Sequence, residues 1–144
     1  MILIADTSGI IAAFDRNAPE SADCRRLLQE AGTVVLSPLV LAEVDHLARV
    51  RLGSRARATI LDLLHDQVAK LRFQIPDVGA ETFGTALSVI RRYADLDLDL
   101  ADAVSVCLAA DYRTDAVLTL DRRDFRAVQP LTPHKAFRLL PDDL

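Results

Sequence analysis

Ile2-Leu3-Ile4-Ala5-Asp6 is a short aliphatic run that ends in a carboxylate. Its β-branched and aliphatic residues show no helical period, which predicts a buried strand over residues 2–6. Thr7, Ser8 and Gly9 are expected to break this strand before a helix begins at Ile10. An unpaired carboxylate at the end of a buried strand is unfavourable, so Asp6 is expected either to be neutralised or to find a cation.

A second carboxylate, Asp121, ends the apolar run Ala116–Leu120. Further strands are predicted at 34–36, 71–75 and 128–131, and helices at 10–14, 21–30, 38–51, 54–70, 80–93 and 102–112. Strands that alternate with helices indicate a parallel sheet covered on both faces. Ligands of such sheets bind beyond the carboxyl ends of the strands, which is where Asp6 and Asp121 fall.

Two more acids stand at unusual positions within helices. Glu43 shares a predicted helix face with Val40 and Leu47, and Asp102 opens the apolar segment that follows Asp99. Each acid has an ordinary interpretation: a buried ion-pair partner for Glu43, a helix cap for Asp6 and Asp102, and a turn for Asp121. If the fold brings the four together, their natural partner is a hard divalent metal ion bound through oxygen.

Size and composition are those of one globular domain: 144 residues, 51% hydrophobic and 26% charged. No apolar stretch is long enough to span a membrane, and the N-terminus lacks the basic region of a signal peptide. These features favour a cytoplasmic protein without a membrane partner. The two cysteines, Cys24 and Cys107, show no zinc-ligand spacing and are expected to be core thiols.

The net charge of −4 at first argues against nucleic acid as a partner. Without the four acids, however, acidic and basic residues balance, and all basic residues except Lys70 and Lys135 are arginine. Arginine suits phosphate recognition, and Arg122 and Arg123 directly follow Asp121. Any single arginine run is equally well explained as a solvated helix face. The chain has no nucleotide-phosphate loop and no GxSxG motif.

Four segments carry a resemblance to a known family: Asp6-Thr7-Ser8, Pro38-Leu-Val-Leu-Ala-Glu43, Leu100-Ala101-Asp102-Ala103 and Leu118-Thr-Leu-Asp121-Arg-Arg-Asp124-Phe125. Together, in this order, they resemble the PIN-domain ribonucleases, and most of all the VapC toxins of bacterial toxin–antitoxin pairs. The resemblance covers nearly the whole chain. It implies that residues 1–144 form a single PIN domain, a Rossmann-like three-layer α/β/α sandwich with a central parallel sheet.

The resemblance also implies a function. It implies a Mg²⁺- or Mn²⁺-dependent endoribonuclease that cleaves structured RNA, such as a loop of transfer or ribosomal RNA, to inhibit translation. Asp6, Glu43, Asp102 and Asp121 are then the catalytic and metal-site acids. Behind them, Ser8, Asp99 and Asp124 are expected to help hold metal or water, and Arg122 and Arg123 to bind RNA.

The implied partners are a second copy of the chain, in a homodimer, and a cognate VapB-type antitoxin that covers the active site. Three other functions stay open at this stage. They are a PIN nuclease of RNA processing, a catalytically silent PIN module that binds RNA or protein, and a metal-dependent phosphatase of small molecules. The presence of all four acids favours a nuclease.

Overall fold

The computed structural model describes all 144 residues, arranged around one five-stranded sheet. The strands are β1 (Ile2–Ala5), β2 (Thr33–Leu36), β3 (Phe73–Gln74), β4 (Ala116–Leu118) and β5 (Arg138–Leu140). They lie in the order β3-β2-β1-β4-β5, and every pair is parallel. The first strand is therefore central, with β4 from the C-terminal third of the chain as its direct neighbour.

Seven helices cover the sheet, and none of them is long and apolar enough to cross a membrane. They are α1 (Thr7–Phe14), α2 (Ser21–Glu30), α3 (Pro38–Leu52), α4 (Ser54–Ala69), α5 (Ala80–Arg92), α6 (Leu100–Asp111) and α7 (Arg122–Ala127). Apolar residues of α1 to α4 share one core with one face of the sheet, and those of α5 to α7 share another core with the opposite face. The predicted three-layer α/β/α sandwich is confirmed.

Side-chain alternation in the central strand explains the two cores. Leu3 and Ala5 belong to the core beneath α1 to α4, whereas Ile4 belongs to the core beneath α5 to α7. All three are almost fully buried, because helices cover both faces of a parallel sheet. The sequence of such a strand is a continuous apolar run, and Asp6 is the first polar residue after it.

The start of α3 is set by local sequence as predicted. The Ser37 side chain accepts a hydrogen bond of 3.2 Å from the Leu39 amide, and Pro38 occupies the first helical turn. Gly53 ends the helix with a φ of 96°, a conformation that favours glycine. These signals fix the direction in which α3 leaves β2, and thus where Glu43 lies.

The predicted strand over Val128–Leu131 is wrong. Helix α7 occupies Arg122–Ala127, the segment after it is irregular, and the last strand is Arg138–Leu140. Val128 is buried in the core beneath α5 to α7, so its apolar character reflects packing rather than strand pairing. Leu139 and Leu140 of β5 are buried on opposite faces of the sheet, as in the other strands.

Helix α1 begins before Gly9, whereas the sequence predicted that Gly9 would precede the helix. Gly9 lies in the first turn of α1, where an added Cβ would meet Leu118 Cγ at 2.6 Å and Leu118 O at 2.7 Å. Glycine is needed here because α1 begins in direct contact with the end of β4. This contact packs α1 against the end of β4, beside the paired end of β1.

Candidate active site

A cavity of about 300 Å³ opens beyond the carboxyl ends of β1 and β4. Its lining includes six polar or charged residues that matter here: Asp6, Ser8, Glu43, Arg51, Asp102 and Asp121. All four acids singled out in the sequence therefore face one space, although they come from distant parts of the chain. The parallel sheet explains this arrangement, since its strands all end at the same edge.

Asp6 is held by two hydroxyl groups. Thr119 donates to its Oδ2 at 2.7 Å, and Ser8 donates to the same oxygen at 3.1 Å. Each hydroxyl in turn accepts a backbone hydrogen bond of 2.9 Å, Thr119 from Asp121 and Ser8 from Leu120. Asp6 is buried, and burial raises the pKa of its carboxyl, although the Thr119 hydrogen bond opposes the shift. The network orients Asp6 and links it to the chain at Asp121.

Asp102 lies in the first turn of α6 rather than at its start. The helix begins at Leu100, and the cap is Asp99, whose Oδ1 accepts a 2.8 Å hydrogen bond from the Asp102 amide. The Asp102 side chain is thereby free to face the cavity, where it is buried. Burial, reinforced by the negative charges of Asp6 and Asp99, raises the pKa of Asp102 to about 8. A group this strongly shifted in a cavity is a candidate for function.

Asp102, Asp121 and Asp124 form a close group of carboxylates. One oxygen from each lies within 4.8 Å of the others. The Asp124 Oδ1 is buried and has no hydrogen-bond partner, and the nearest cation, Arg123 Nε, is 3.9 Å away. Burial and the charge of Asp121 raise the pKa of Asp124. Three carboxylates at this separation repel one another unless a cation lies between them.

Glu43 reaches the cavity from α3 and is half-buried. Burial raises the pKa of Glu43, and the negative charges of Asp99 and Asp6 raise it further. Arg51 lies two turns farther along the same helix, lines the cavity, and has no carboxylate within ion-pair distance. The cavity thus holds several acids and one unpaired arginine.

The remaining predicted residues differ in their contacts. Ser8 supports Asp6, and Asp99 both caps α6 and lines the cavity. Arg122 Nε lies 3.2 Å from Asp142 Oδ1, so the side chain is paired with the C-terminal segment, whereas the Arg123 side chain is 79% exposed. Of the two arginines predicted to bind RNA, only Arg123 has no ion pair with a residue outside α7.

Two site residues were missed in the sequence. Thr119 falls inside the predicted strand, and its polar side chain in the apolar run Ala116–Leu120, just before Asp121, is a usable signal. Arg51 belongs to one of the arginine runs that a solvated helix face explains equally well. Its spacing of eight residues from Glu43 places both side chains on the same side of α3.

The donor set fits a hard divalent metal ion. Only oxygen atoms converge in the group Asp102, Asp121 and Asp124, with no cysteine or histidine among them. A buried Asp124 oxygen without a partner is the kind of atom that a cation satisfies. Magnesium and manganese prefer such oxygen ligands.

Comparison with known proteins gives the same family. The model of the PIN domain matches residues 3–130. The chain is 35% identical to Ribonuclease VapC26 of Mycobacterium tuberculosis over 130 residues, which is 90% of this chain and 93% of that protein.

Solved structures share the fold at lower identity. VapC20 of M. tuberculosis, described as a sarcin-ricin loop cleaving toxin, matches with a TM-score of 0.72 at 20% identity, over 83% of this chain and 89% of that one. A toxin–antitoxin complex from Klebsiella pneumoniae matches with a TM-score of 0.60 at 18% identity, over 92% of this chain and 98% of that one. The family match and the identity to a curated relative agree with the fold and with the acidic cavity: the chain belongs to the PIN domain family and is a homologue of the VapC ribonucleases.

Proposed function

We propose that this protein is a metal-dependent endoribonuclease of the toxin type, which cleaves a loop of transfer or ribosomal RNA and thereby inhibits translation. The observation that carries this proposal is the convergence of Asp6, Glu43, Asp102 and Asp121 on one cavity at the carboxyl ends of β1 and β4. Kinship with Ribonuclease VapC26 supports RNA as the substrate class. The site would work in the cytoplasm, where such RNA is found.

The proposed metal ligands are Asp102, Asp121 and Asp6, joined by Asp124, whose oxygen lies in the tight carboxylate group. A bound Mg²⁺ or Mn²⁺ would lower the pKa of a water molecule and stabilise the oxygen that leaves the phosphodiester. Glu43, which reaches the cavity from α3, is the candidate for orienting the attacking water. Thr119 and Ser8 hold the Asp6 carboxylate in one orientation throughout.

Substrate phosphate needs positive charge beside so many acids. Arg51 at the cavity wall and the exposed Arg123 on α7 are the proposed phosphate contacts. Their contribution to RNA binding is expected to fall as the salt concentration rises, because phosphate contacts release counterions. Arg122 is a weaker candidate, since RNA would have to compete with Asp142 for it.

Two protein partners are part of the proposal: a VapB-type antitoxin that blocks the active site, and a second copy of the chain. A cavity beside the starts of α5 and α6 supports the homodimer, because large apolar side chains line it, among them the exposed Phe83 and Leu100. Light scattering is expected to show a dimer for the natural chain and a monomer for Phe83→Glu.

The test of the enzymatic function is cleavage of structured RNA with and without EDTA. We expect cleavage in Mg²⁺ or Mn²⁺, none in EDTA, and none by Asp102→Asn, which removes a metal ligand and keeps the side-chain shape. Asp62→Asn is the matched control, because Asp62 is exposed on α4 and has no ion pair or hydrogen bond through its side chain. Metal-dependent cleavage by Asp102→Asn at the natural rate would refute the site assignment.

A further inference from the structure

The C-terminal segment is tied to α7, the helix that carries Asp124. Arg126 donates to both carboxylate oxygens of Asp143, at 2.7 Å to Oδ2 and 2.5 Å to Oδ1. A second acid, Asp142, lies 3.2 Å from both Arg126 and Arg122. Arg122 and Arg126 are one helical turn apart, so one side of α7 is bound to the two acids.

Asp143 is itself fixed to the sheet. Its Oδ2 accepts a 2.8 Å hydrogen bond from the Leu139 amide in β5, and its own amide donates to the Leu139 carbonyl at 2.7 Å. The Arg126 guanidinium lowers the pKa of Asp143 to about 2, so the carboxylate is charged at neutral pH. The bidentate pair therefore connects α7 to the edge of the sheet through a rigid group.

Helix α7 has few other means of attachment. It is only six residues long, too short to be stable alone, and it packs chiefly against β5. Its buried Phe125 contacts Phe137, just before β5, edge to face, with ring centroids 6.0 Å apart. The position of α7, and hence of Asp124, is thus set from the C-terminal segment.

We propose that the Asp143–Arg126 ion pair is a positioning pair, which holds α7 so that Asp124 completes the metal-binding carboxylate group; this inference rests on the proposed function. Neither residue touches the metal or the substrate. The pair acts by limiting the motion of Asp124, together with the exposed Asp142 contacts and the buried Phe125. A carboxylate held in place binds a cation better than one that must first be ordered.

The test uses Asp143→Asn in the full chain, because asparagine keeps an oxygen for the Leu139 amide and removes the charge that binds Arg126. Arg126→Gln and the double variant complete the cycle. Asp23→Asn is the matched control, since it breaks the 3.0 Å ion pair between Arg26 and Asp23 on α2, away from the cavity. The dissociation constant for Mn²⁺ is measured by calorimetry, and amide hydrogen exchange of α7 is measured in EDTA.

We expect Asp143→Asn and Arg126→Gln each to weaken Mn²⁺ binding about threefold to fivefold. The double variant is expected to bind Mn²⁺ with the same affinity as either single variant. The Val128 amide donates a 3.1 Å hydrogen bond to the Asp124 carbonyl. Its hydrogen-exchange rate is expected to rise in these variants and to stay unchanged in Asp23→Asn. Natural Mn²⁺ affinity in Asp143→Asn, or additive losses in the double variant, would overturn the inference while leaving the proposed function intact. Failure of the natural protein itself to bind Mn²⁺ would overturn both.

Discussion

The hydroxyl of Thr119 donates a 2.7 Å hydrogen bond to Oδ2 of Asp6 and accepts one of 2.9 Å from the Asp121 amide. One side chain at the end of β4 therefore fixes two acids that are 115 positions apart in numbering, Asp6 and Asp121. It also favours the charged form of Asp6, because its hydrogen bond lowers the pKa that burial raises.

Replacing this hydroxyl by a methyl group, in Thr119→Val, is expected to weaken metal binding and RNA cleavage. Asp6 loses its strongest donor and its pKa rises further, so a metal ion must displace a proton to bind. The free energy of unfolding in EDTA is expected to fall by about 1–2 kcal/mol, because the Asp121 amide loses its acceptor. Urea unfolding and cleavage assays measure the two effects.

The control for this change is Thr59→Val on α4, whose exposed hydroxyl bonds only to a carbonyl one turn earlier in its own helix. It is expected to leave cleavage unchanged. If Thr119→Val cleaves RNA as fast as the natural protein does, the hydroxyl network does not orient the site.

The stability of the metal-free protein is expected to fall as pH rises from about 4 to about 8. Asp102 has a folded-state pKa of about 8, above its ordinary value of 3.8, so between these values the folded state binds more protons than the unfolded state. The protonated Asp102 carboxyl makes its full contribution to the free energy of unfolding at low pH. This contribution is lost as the pH rises through the folded-state pKa. Asp6, Glu43 and Asp124 shift in the same direction and steepen the fall.

Urea midpoints in EDTA across this pH range measure the effect, with Asp102→Asn as the comparison. The variant is expected to be more stable than the natural protein near pH 8 and to show a flatter profile, whereas Asp62→Asn is expected to follow the natural curve. A metal-free protein whose stability increases toward pH 8 would contradict the raised pKa values of these acids.

Gly9→Ala is expected to damage both stability and activity. The added methyl group would lie 2.7 Å from the Leu118 carbonyl oxygen, which accepts a 2.9 Å hydrogen bond from the Asp6 amide. Because backbone atoms cannot move aside easily, α1 must shift away from β4, at a cost of about 1–3 kcal/mol. Thermal melting and cleavage rate measure the two consequences.

Gly84→Ala serves as the opposite control, because Gly84 lies within α5 and nothing is within 4 Å of an added Cβ. That change is expected to stabilise the protein by about 0.5–1 kcal/mol, since alanine is a better helix former. Equal behaviour of the two variants would mean that the contact between α1 and β4 does not constrain the site.

Arg51→Gln is expected to raise the KM for RNA about fivefold and to leave Mn²⁺ affinity close to that of the natural protein. The salt dependence of RNA binding should become shallower, because one phosphate contact is lost. Arg49→Gln is the control, as Arg49 is exposed on the same helix and does not line the cavity. Identical RNA binding by the two variants would remove Arg51 from the proposed phosphate contacts.

The sequence was sufficient to predict the layers of the fold and the places of β1 to β4 along the chain, since apolar runs and cap residues are local signals. Asp6 and Asp121 could be placed because each directly follows such a run. The pairing of Arg122 with Asp142 could not be foreseen, because the two meet only through β5, a strand whose position was misassigned. Asp124 was given a lesser role for the same reason: its place in the carboxylate group depends on α7, which local pattern did not reveal.

The neighbouring positions of β1 and β4 in the sheet have a consequence during synthesis. Asp6 is synthesised long before Asp121 and Asp124, because β2, β3 and β4 lie between β1 and the facing wall in chain order. A nascent chain that still lacks this wall cannot assemble the acidic cavity. The acidic cavity therefore cannot form until β4 and α7 have been made, and a product truncated ahead of β4 is expected to cleave no RNA.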